Sequence, residues 1–441
     1  MIQDTFQCNF LKGVNSYEKN DKTYNAYVQI LKEELVPAMG CTEPIAIAYA
    51  GAKAREVLGE IPTKCKIEVS GNIIKNVKSV IVPNTNGLKG IEAALAAGIT
   101  VGNETAVLEV LANVQDKDKF KIKNYMDNNE IRVIPSDNNI KFYIGVTLYS
   151  KSSYVKLIIE NYHTNIVHIE MDEKIIFESG SEQENTAGIT DRSLLNVKDI
   201  VEFADIVCVG DIKDTITRQI EYNMAISKEG LTGNWGAQIG KVLLKTYGDD
   251  IKIRAKAAAA AGSDARMSGC ELPVIIVSGS GNQGMTASIP VIEYAKELNT
   301  SDEKLYRSLI VSNLITIHQK TGIGRLSAFC GAVSAGCGAG AGIAYLNGGD
   351  IKIVSHTIVN ALAIVSGIIC DGAKSSCAAK IAAAVDAGIL GYHMYLNGQQ
   401  FYSGDGIVAK DADNTIDNVG RMAREGMKET DKEILKIMVG Q

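Results

Sequence analysis

Ile369-Cys370-Asp371-Gly372-Ala373-Lys374-Ser375-Ser376-Cys377 is the stretch on which the reading of this chain turns. Two shorter stretches upstream resemble it in kind, Gly40-Cys41-Thr42-Glu43-Pro44 and Ala328-Phe329-Cys330-Gly331. Each sets a thiol beside glycine or at a helix edge, among small side chains, with only one or two acids and a lysine for charge. Three isolated thiols of this kind are what an iron–sulfur cluster with one unligated iron needs. Such a cluster can serve as a Lewis acid instead of an electron carrier.

Around these segments the chain reads as helix. The run 326–349 carries no charge and is mostly Gly, Ala, Ser and Cys. It has the length of a membrane span but not the apolarity, so a buried, closely packed helix is expected. Further helices are expected over 196–208, 211–227, 232–247, 251–266, 284–298, 302–318, 353–369, 372–388 and 412–438. Near the start, Tyr24, Tyr27, Val28, Leu31 and Leu35 form a 3.6-period stripe over 23–36, which Pro37 and Gly40 stop. Thr42 can cap a second helix over 45–57, which places Cys41 at a helix N-terminus, where the dipole favours the metal-binding thiolate. Cys65, Ile67 and Val69 alternate as in a strand, 79–83 reads as another short one, and 90–99 as an Ala-rich helix.

From about 117 to 180 the period changes to two, as in Phe142, Ile144, Val146 and Leu148, which predicts an antiparallel layer. The fold class is therefore α+β: a mixed N-terminal region with an antiparallel β layer, then a mainly helical domain. The expected divisions are a loose leader over 1–22, a mixed segment over 23–116 with the first cluster cysteine, a β-rich subdomain over 117–195 and a helical domain over 196–441.

The 441 residues suffice for two or three domains, and 46% apolar content excludes wholesale disorder. A net charge of −6 leaves no basic excess for phosphate contacts, so no nucleic-acid partner is expected, and no membrane. Nine cysteines, none in a Cys-x-x-Cys pair, argue against zinc ribbons, thioredoxin-like sites and ordinary ferredoxins. With no secretory signal in the N-terminal residues, a reduced cytoplasmic setting fits better than a disulfide framework. Free cysteines are often buried small hydrophobes, and Cys8, Cys65, Cys208, Cys270 and Cys337 read that way.

Two polar segments are candidate substrate contacts. Ser278-Gly279-Ser280-Gly281-Asn282-Gln283-Gly284 follows an apolar run and precedes a helix, so its amides can form a nest for a small anion such as a carboxylate. Its spacing fits neither a Walker loop nor the dinucleotide fingerprint. Ser70-Gly71-Asn72-Ile73-Ile74-Lys75-Asn76 offers hydroxyl, amide and cationic donors, with a solvated loop as its plain reading. No His-x-x-x-His pair exists, which removes a zincin. Lys374 lies four residues after Cys370, one helical turn, and can face the same site. No phosphate cup accompanies it, so pyridoxal phosphate is not expected.

Five blocks in order resemble the L-cysteine desulfidase family, relatives of the alpha domain of iron–sulfur L-serine dehydratases. They are Pro-Ala-Met-Gly-Cys-Thr-Glu-Pro at 37–44, Ser-Gly-Asn-Ile-Ile-Lys-Asn at 70–76, Ser-Gly-Ser-Gly-Asn-Gln-Gly at 278–284, Phe-Cys-Gly-Ala at 329–332 and Cys-Asp-Gly-Ala-Lys-Ser-Ser-Cys at 370–377. The resemblance covers nearly everything after residue 22 and implies a serine-dehydratase-alpha-like helical domain. It also implies a [4Fe–4S] cluster with one open iron, held by Cys41, Cys330 and Cys370. Serine dehydratases take their last two ligands from a Cys-Asp-Pro segment and a cysteine eleven residues beyond it. The corresponding gap here is seven and ends at Cys377, the rival to Cys41.

The implied reaction is α,β-elimination of L-cysteine to pyruvate, ammonia and sulfide, with L-serine dehydration as the alternative. Ser70, Asn72, Lys75, Ser278, Ser280, Asn282 and Gln283 are the candidate substrate contacts, and Lys374 and His163 the candidate bases. Two other classes stay open: an iron–sulfur redox sensor or electron carrier, which needs a fourth protein ligand, and a metal-free scaffold with buried thiols. The expected partner is a small amino acid, and the oligomer to test is a homodimer.

Overall fold

The computed structural model describes residues 22–138, 140–179, 190–324 and 326–439. The expected leader therefore lies outside them except for Lys22. The N-terminal region opens with α1 (Lys22–Glu34), which buries Tyr24, Tyr27, Ile30 and Leu31. Then come β1 (Pro37–Met39), α2 (Thr42–Leu58), β2 (Lys64–Val69), α3 (Gly71–Val77), α4 (Gly90–Val101) and α5 (Asp116–Asn128). Five strands follow: β3 (Glu130–Pro135), β4 (Tyr143–Tyr149), β5 (Tyr154–Glu160), β6 (Ile166–Met171) and β7 (Lys174–Glu178).

The sheet order is β3-β2-β4-β5-β6-β7. Only β2 and β3 run parallel; the other pairs are antiparallel, with Ile67 opposite Val146 and Val146 opposite Leu157. Ile144, Val146 and Leu148 of β4 and Val155, Leu157 and Ile159 of β5 are buried at alternate positions, and α2 packs against both strands. The period-two reading thus holds for β4 and β5, whereas β6 shows no alternation, β7 is exposed throughout, and α5 at the start of the span is helix.

The C-terminal region is almost all helix: α6 (Val197–Ile206), α7 (Lys213–Thr232), α8 (Ile239–Tyr247), α9 (Ile251–Met267), the short strand β8 (Pro273–Ile275), α10 (Gly281–Glu297), α11 (Asp302–Ile323), α12 (Gly331–Leu346), α13 (Ile351–Val365), α14 (Cys377–Leu396), α15 (Ala412–Arg421) and α16 (Lys428–Val439). The helix α12 sits in the middle and is buried from Ala332 to Leu346. Its small residues permit close approach: a Cβ on Gly340 would lie 2.7 Å from the Gly388 Cα of α14. Among the described residues no helix is long and apolar enough to cross a membrane.

Two features join the regions. One cluster of buried side chains runs from Tyr24 through the sheet to Val419. In addition, β1 pairs antiparallel with β8, Pro37 opposite Ile275 and Met39 opposite Pro273. This ladder delivers the segment after β1, including Cys41, to the glycine loop after β8.

Three local expectations change. Residues 71–77 are helix, not solvated loop, and bury Ile73, Lys75, Asn76 and Val77. In place of a strand at 79–83 there is a single bridge, Ile81 to Lys89. The expected helix over 412–438 is interrupted by a π turn at Met422–Gly426.

Candidate active site

Cys41, Cys330, Cys370 and Cys377 line one cleft of about 760 Å³, part of it open to solvent. Local backbone structure explains how they meet. Cys41 is the N-cap of α2 and Cys330 the N-cap of α12, while Cys377 is the first residue of α14. Phe329 and Ile369 form an antiparallel bridge, in which the Cys330 N–H donates to Ile368 O (3.1 Å) and the Cys370 N–H to Ala328 O (2.6 Å). That pairing holds Cys330 and Cys370 side by side. Lys380 of α14 donates to Ile369 O (3.1 Å) and pairs with Asp371 (2.5 Å), which anchors the same segment. Cys41 and Cys377 form a second pair, packed with Met267, Val80 and Ala373. The Gly372 turn (φ +94°) closes against α3, where a Cβ would lie 2.3 Å from Lys75 O.

Burial governs these thiols. It pushes Cys41 up to about 12, with the nearby Arg266 pulling the other way. It also pushes Cys330 up to about 12; Cys370 adds to the rise, and the Ala332 N–H opposes it. Cys377 is raised for the same first reason and is opposed by the Lys374 N–H. The thiolate expected at Cys41 from its helix N-terminus is thus outweighed by desolvation. A metal would have to displace these protons, which ties its binding to pH.

Among the described residues, no three histidine, cysteine or carboxylate side chains converge closely enough to hold a single metal ion. A four-iron cluster is a larger body and holds its thiolates farther apart. The surroundings suit such an anionic group. The N-termini of α2, α10, α12 and α14 all reach the cleft. The Lys374 ammonium, electrostatically coupled to Cys41, is buried without a hydrogen-bond partner.

The remaining walls are polar. Thr42 donates to Gly279 O (2.8 Å) and so fastens the first cysteine block to the glycine loop. Ser280 caps α10 by accepting the Gln283 N–H (3.5 Å). Asn282 and Gln283 line the cleft with Arg266 and Lys320. Glu43 enters from the first turn of α2, accepts from Asn76 (3.2 Å), and is raised by its burial.

Of the candidates read from sequence, Lys75, Ser280, Asn282 and Gln283 line the cleft together with the cysteines. Lys75 is already ion-paired with Asp431 of α16. Ser70, Asn72 and Ser278 are not in the lining; Ser70 instead donates to Lys141 O (2.8 Å) and accepts the Tyr143 N–H (3.3 Å), a structural role. His163 is also absent from the lining and packs edge-on to Phe142, ring centroids 4.7 Å apart. Lys374 is not in the lining either; its backbone N–H donates to the Cys377 sulfur (3.4 Å), and its charge is felt at Cys41. Arg266, Glu43, Asn76 and Lys320 were missed. The available signal was a charge in a stretch of small residues, since Arg266 follows the run Ala257–Ala261 and is nonetheless buried.

A model of the serine dehydratase alpha chain family matches residues 103–436 of this chain. That span holds Cys330, Cys370 and Cys377 but not Cys41. A UPF0597 protein of Desulfitobacterium hafniense (strain Y51) is 65% identical over 424 residues, covering 96% of this chain and 99% of its own length. Its counterpart in Lachnoclostridium phytofermentans is 53% identical over 418 residues, with 94% and 100% covered. One from Treponema denticola is 50% identical over 424 residues, with 94% and 98% covered. The helical region, the four-thiol cleft and these matches agree, and the chain belongs to the serine dehydratase alpha chain family and to the UPF0597 proteins.

Proposed function

We propose that this chain is a lyase that performs α,β-elimination on a small L-amino acid, with L-cysteine as substrate and pyruvate, ammonia and sulfide as products. The observation that carries the reading is the meeting of four thiols from three distant segments in one cleft beside buried cations. Cys330, Cys370 and Cys41 are the proposed ligands of a [4Fe–4S] cluster. Cys377 is the rival to Cys41, because it is electrostatically coupled to each of the other three thiols. Bound by three thiolates, such a cluster supplies one iron without a protein ligand, a Lewis acid suited to a soft sulfur leaving group.

The chain's own residues would do the rest. The Glu43 carboxylate takes the Cα proton; Asn76 orients it, and its burial brings its basicity closer to what proton abstraction needs. The electrons of the Cα–H bond form the Cα=Cβ bond, and the Cβ–S bond breaks with its pair on sulfur. The enamine released takes up a proton and then water, giving pyruvate and ammonia. Lys374 balances the negative charge of the thiolates, and the α10 N-terminus with Ser280 and Asn282 favours an anionic substrate. His163, away from the cleft, takes no part.

L-Serine is the second reading, favoured by the name of the matching family. The test is anaerobic purification or reconstitution with iron and sulfide, followed by product assays on both amino acids. The proposal expects a brown protein with about four irons per chain and equimolar sulfide and pyruvate from L-cysteine. Pyruvate from L-serine alone moves the assignment to the dehydratase. A reversible redox signal without turnover on either substrate overturns the lyase reading in favour of a sensor or electron carrier.

A further inference from the structure

Arg266 is 4% exposed, yet it lines the cleft. Among the described residues its one hydrogen bond runs from Nη1 to the Asn282 side-chain oxygen (3.2 Å), and its Nε is buried with no partner there. It forms no ion pair among the described residues, although Glu43 and Cys41 lie near enough to feel its charge, whereas Lys75, a cation read from the sequence, is occupied by Asp431. A guanidinium stays charged across the working pH range, and burying it with a donor left unpartnered is costly. The surroundings are shaped to keep it there. Gly281 opens α10 directly against it, and a Cβ at that position would lie 2.5 Å from Nε and 2.8 Å from Cζ.

We propose that Arg266 is the specificity-determining residue that receives the α-carboxylate of the substrate, presented by Asn282 and given room by Gly281. The assignment rests on the amino-acid lyase reading above and deepens it. A planar fork of donors matches a carboxylate in two hydrogen bonds, which an ammonium cannot reproduce. The carboxylate so held lies at the N-terminus of α10, whose amides add to the attraction. The site therefore selects α-amino acids over amines that lack the carboxylate.

The test uses anaerobically reconstituted protein and three variants, Arg266→Gln, Arg266→Lys and Gly281→Ala. Calorimetric titration with L-alanine, which has no β leaving group, and with ethylamine, its counterpart without the carboxylate, reads binding apart from turnover. Wild type is expected to bind L-alanine at least about 30-fold more tightly than ethylamine, and each variant to lose most of that ratio. In turnover, KM for L-cysteine is expected to rise about 30- to 100-fold, with kcat changed less than about threefold and iron content unchanged. Gly281→Ala and Arg266→Lys decide the matter if Arg266→Gln does not fold. Unaltered L-alanine binding in a folded variant with full iron overturns the assignment while leaving the lyase reading intact. Wild type that binds L-alanine no better than ethylamine also overturns it. Failure of the lyase reading shows separately, as wild type that releases neither sulfide nor pyruvate.

Discussion

Breaking the Lys75–Asp431 pair should loosen one wall of the cleft by a measurable amount. Lys75 is 2% exposed and Asp431 20% exposed, so the ammonium is nearly dry and the carboxylate half protected. Removing one partner of a fully buried pair costs about 3–5 kcal/mol, because a charge is left without compensation. The access of water to the Asp431 side lowers the expectation for Asp431→Asn to about 2–3 kcal/mol. Replacing both residues, Lys75→Met with Asp431→Leu, should restore at least about 1.5 kcal/mol of that loss, since the double change leaves no orphan charge. The effect should be local. The helix α16 is further held to α3 by Leu435, which fills the space over Gly71, and by Lys78 donating to Met438 O (2.8 Å). Native-state hydrogen exchange of the α3 and α16 amides is the assay, read against a distant helix such as α13. Loss of protection below about 0.5 kcal/mol in Asp431→Asn, or a double variant worse than either single one, would refute the reasoning.

Other expectations follow from the same geometry. Of the thiols, Cys330→Ser and Cys370→Ser should each lower iron binding below half of wild type, and Cys41→Ser should do so while Cys377→Ser does not. Iron and acid-labile sulfide per chain decide, and the reverse order for the last two hands the third ligand to Cys377. Gly372→Ala should displace the 371–376 turn, because its Cβ would meet Lys75 O at 2.3 Å and its φ of +94° disfavours a side chain. A fall of several degrees in melting temperature together with lower iron content is expected, and unchanged values of both would count against the docking of that turn on α3. Burial raises Asp264 to about 6, against backbone N–H donors such as Gly240 (3.3 Å). The folded state then holds this proton more tightly than the unfolded chain. Stability should fall as pH rises from about 4 to about 6, and Asp264→Asn should flatten that slope; urea midpoints across this range measure it.

Much of the fold was legible because its long elements carry their own period. The α1 stripe, the alternation through β4 and β5, and the charge-free run around α12 each state which face is buried. The misreadings share a cause in contacts made far away in sequence. The α3 segment looks like a polar loop until α16 covers it and neutralises Lys75 with Asp431. The strands β1 and β8 have three residues each and exist only because they pair with one another. Likewise, Phe120, Ile122 and Tyr125 sit among enough polar residues for α5 to pass as part of the strand-rich span. The thiols were legible as motifs, since glycine and cysteine at helix edges are uncommon neighbours. Their electrostatics were not, because a thiol's proton affinity depends on how many walls surround it, and only the folded chain supplies that. Arg266 was overlooked because a charge at the end of an alanine run looks like solvent-facing punctuation.

The bridge between 328–330 and 368–370 is made of main-chain bonds, so the spacing of Cys330 and Cys370 does not depend on what their sulfurs do. Either sulfur can be exchanged for oxygen without unzipping the neighbouring strand. The backbone frame and the side chains it carries are therefore separate parts, and chemistry at either sulfur leaves the frame standing.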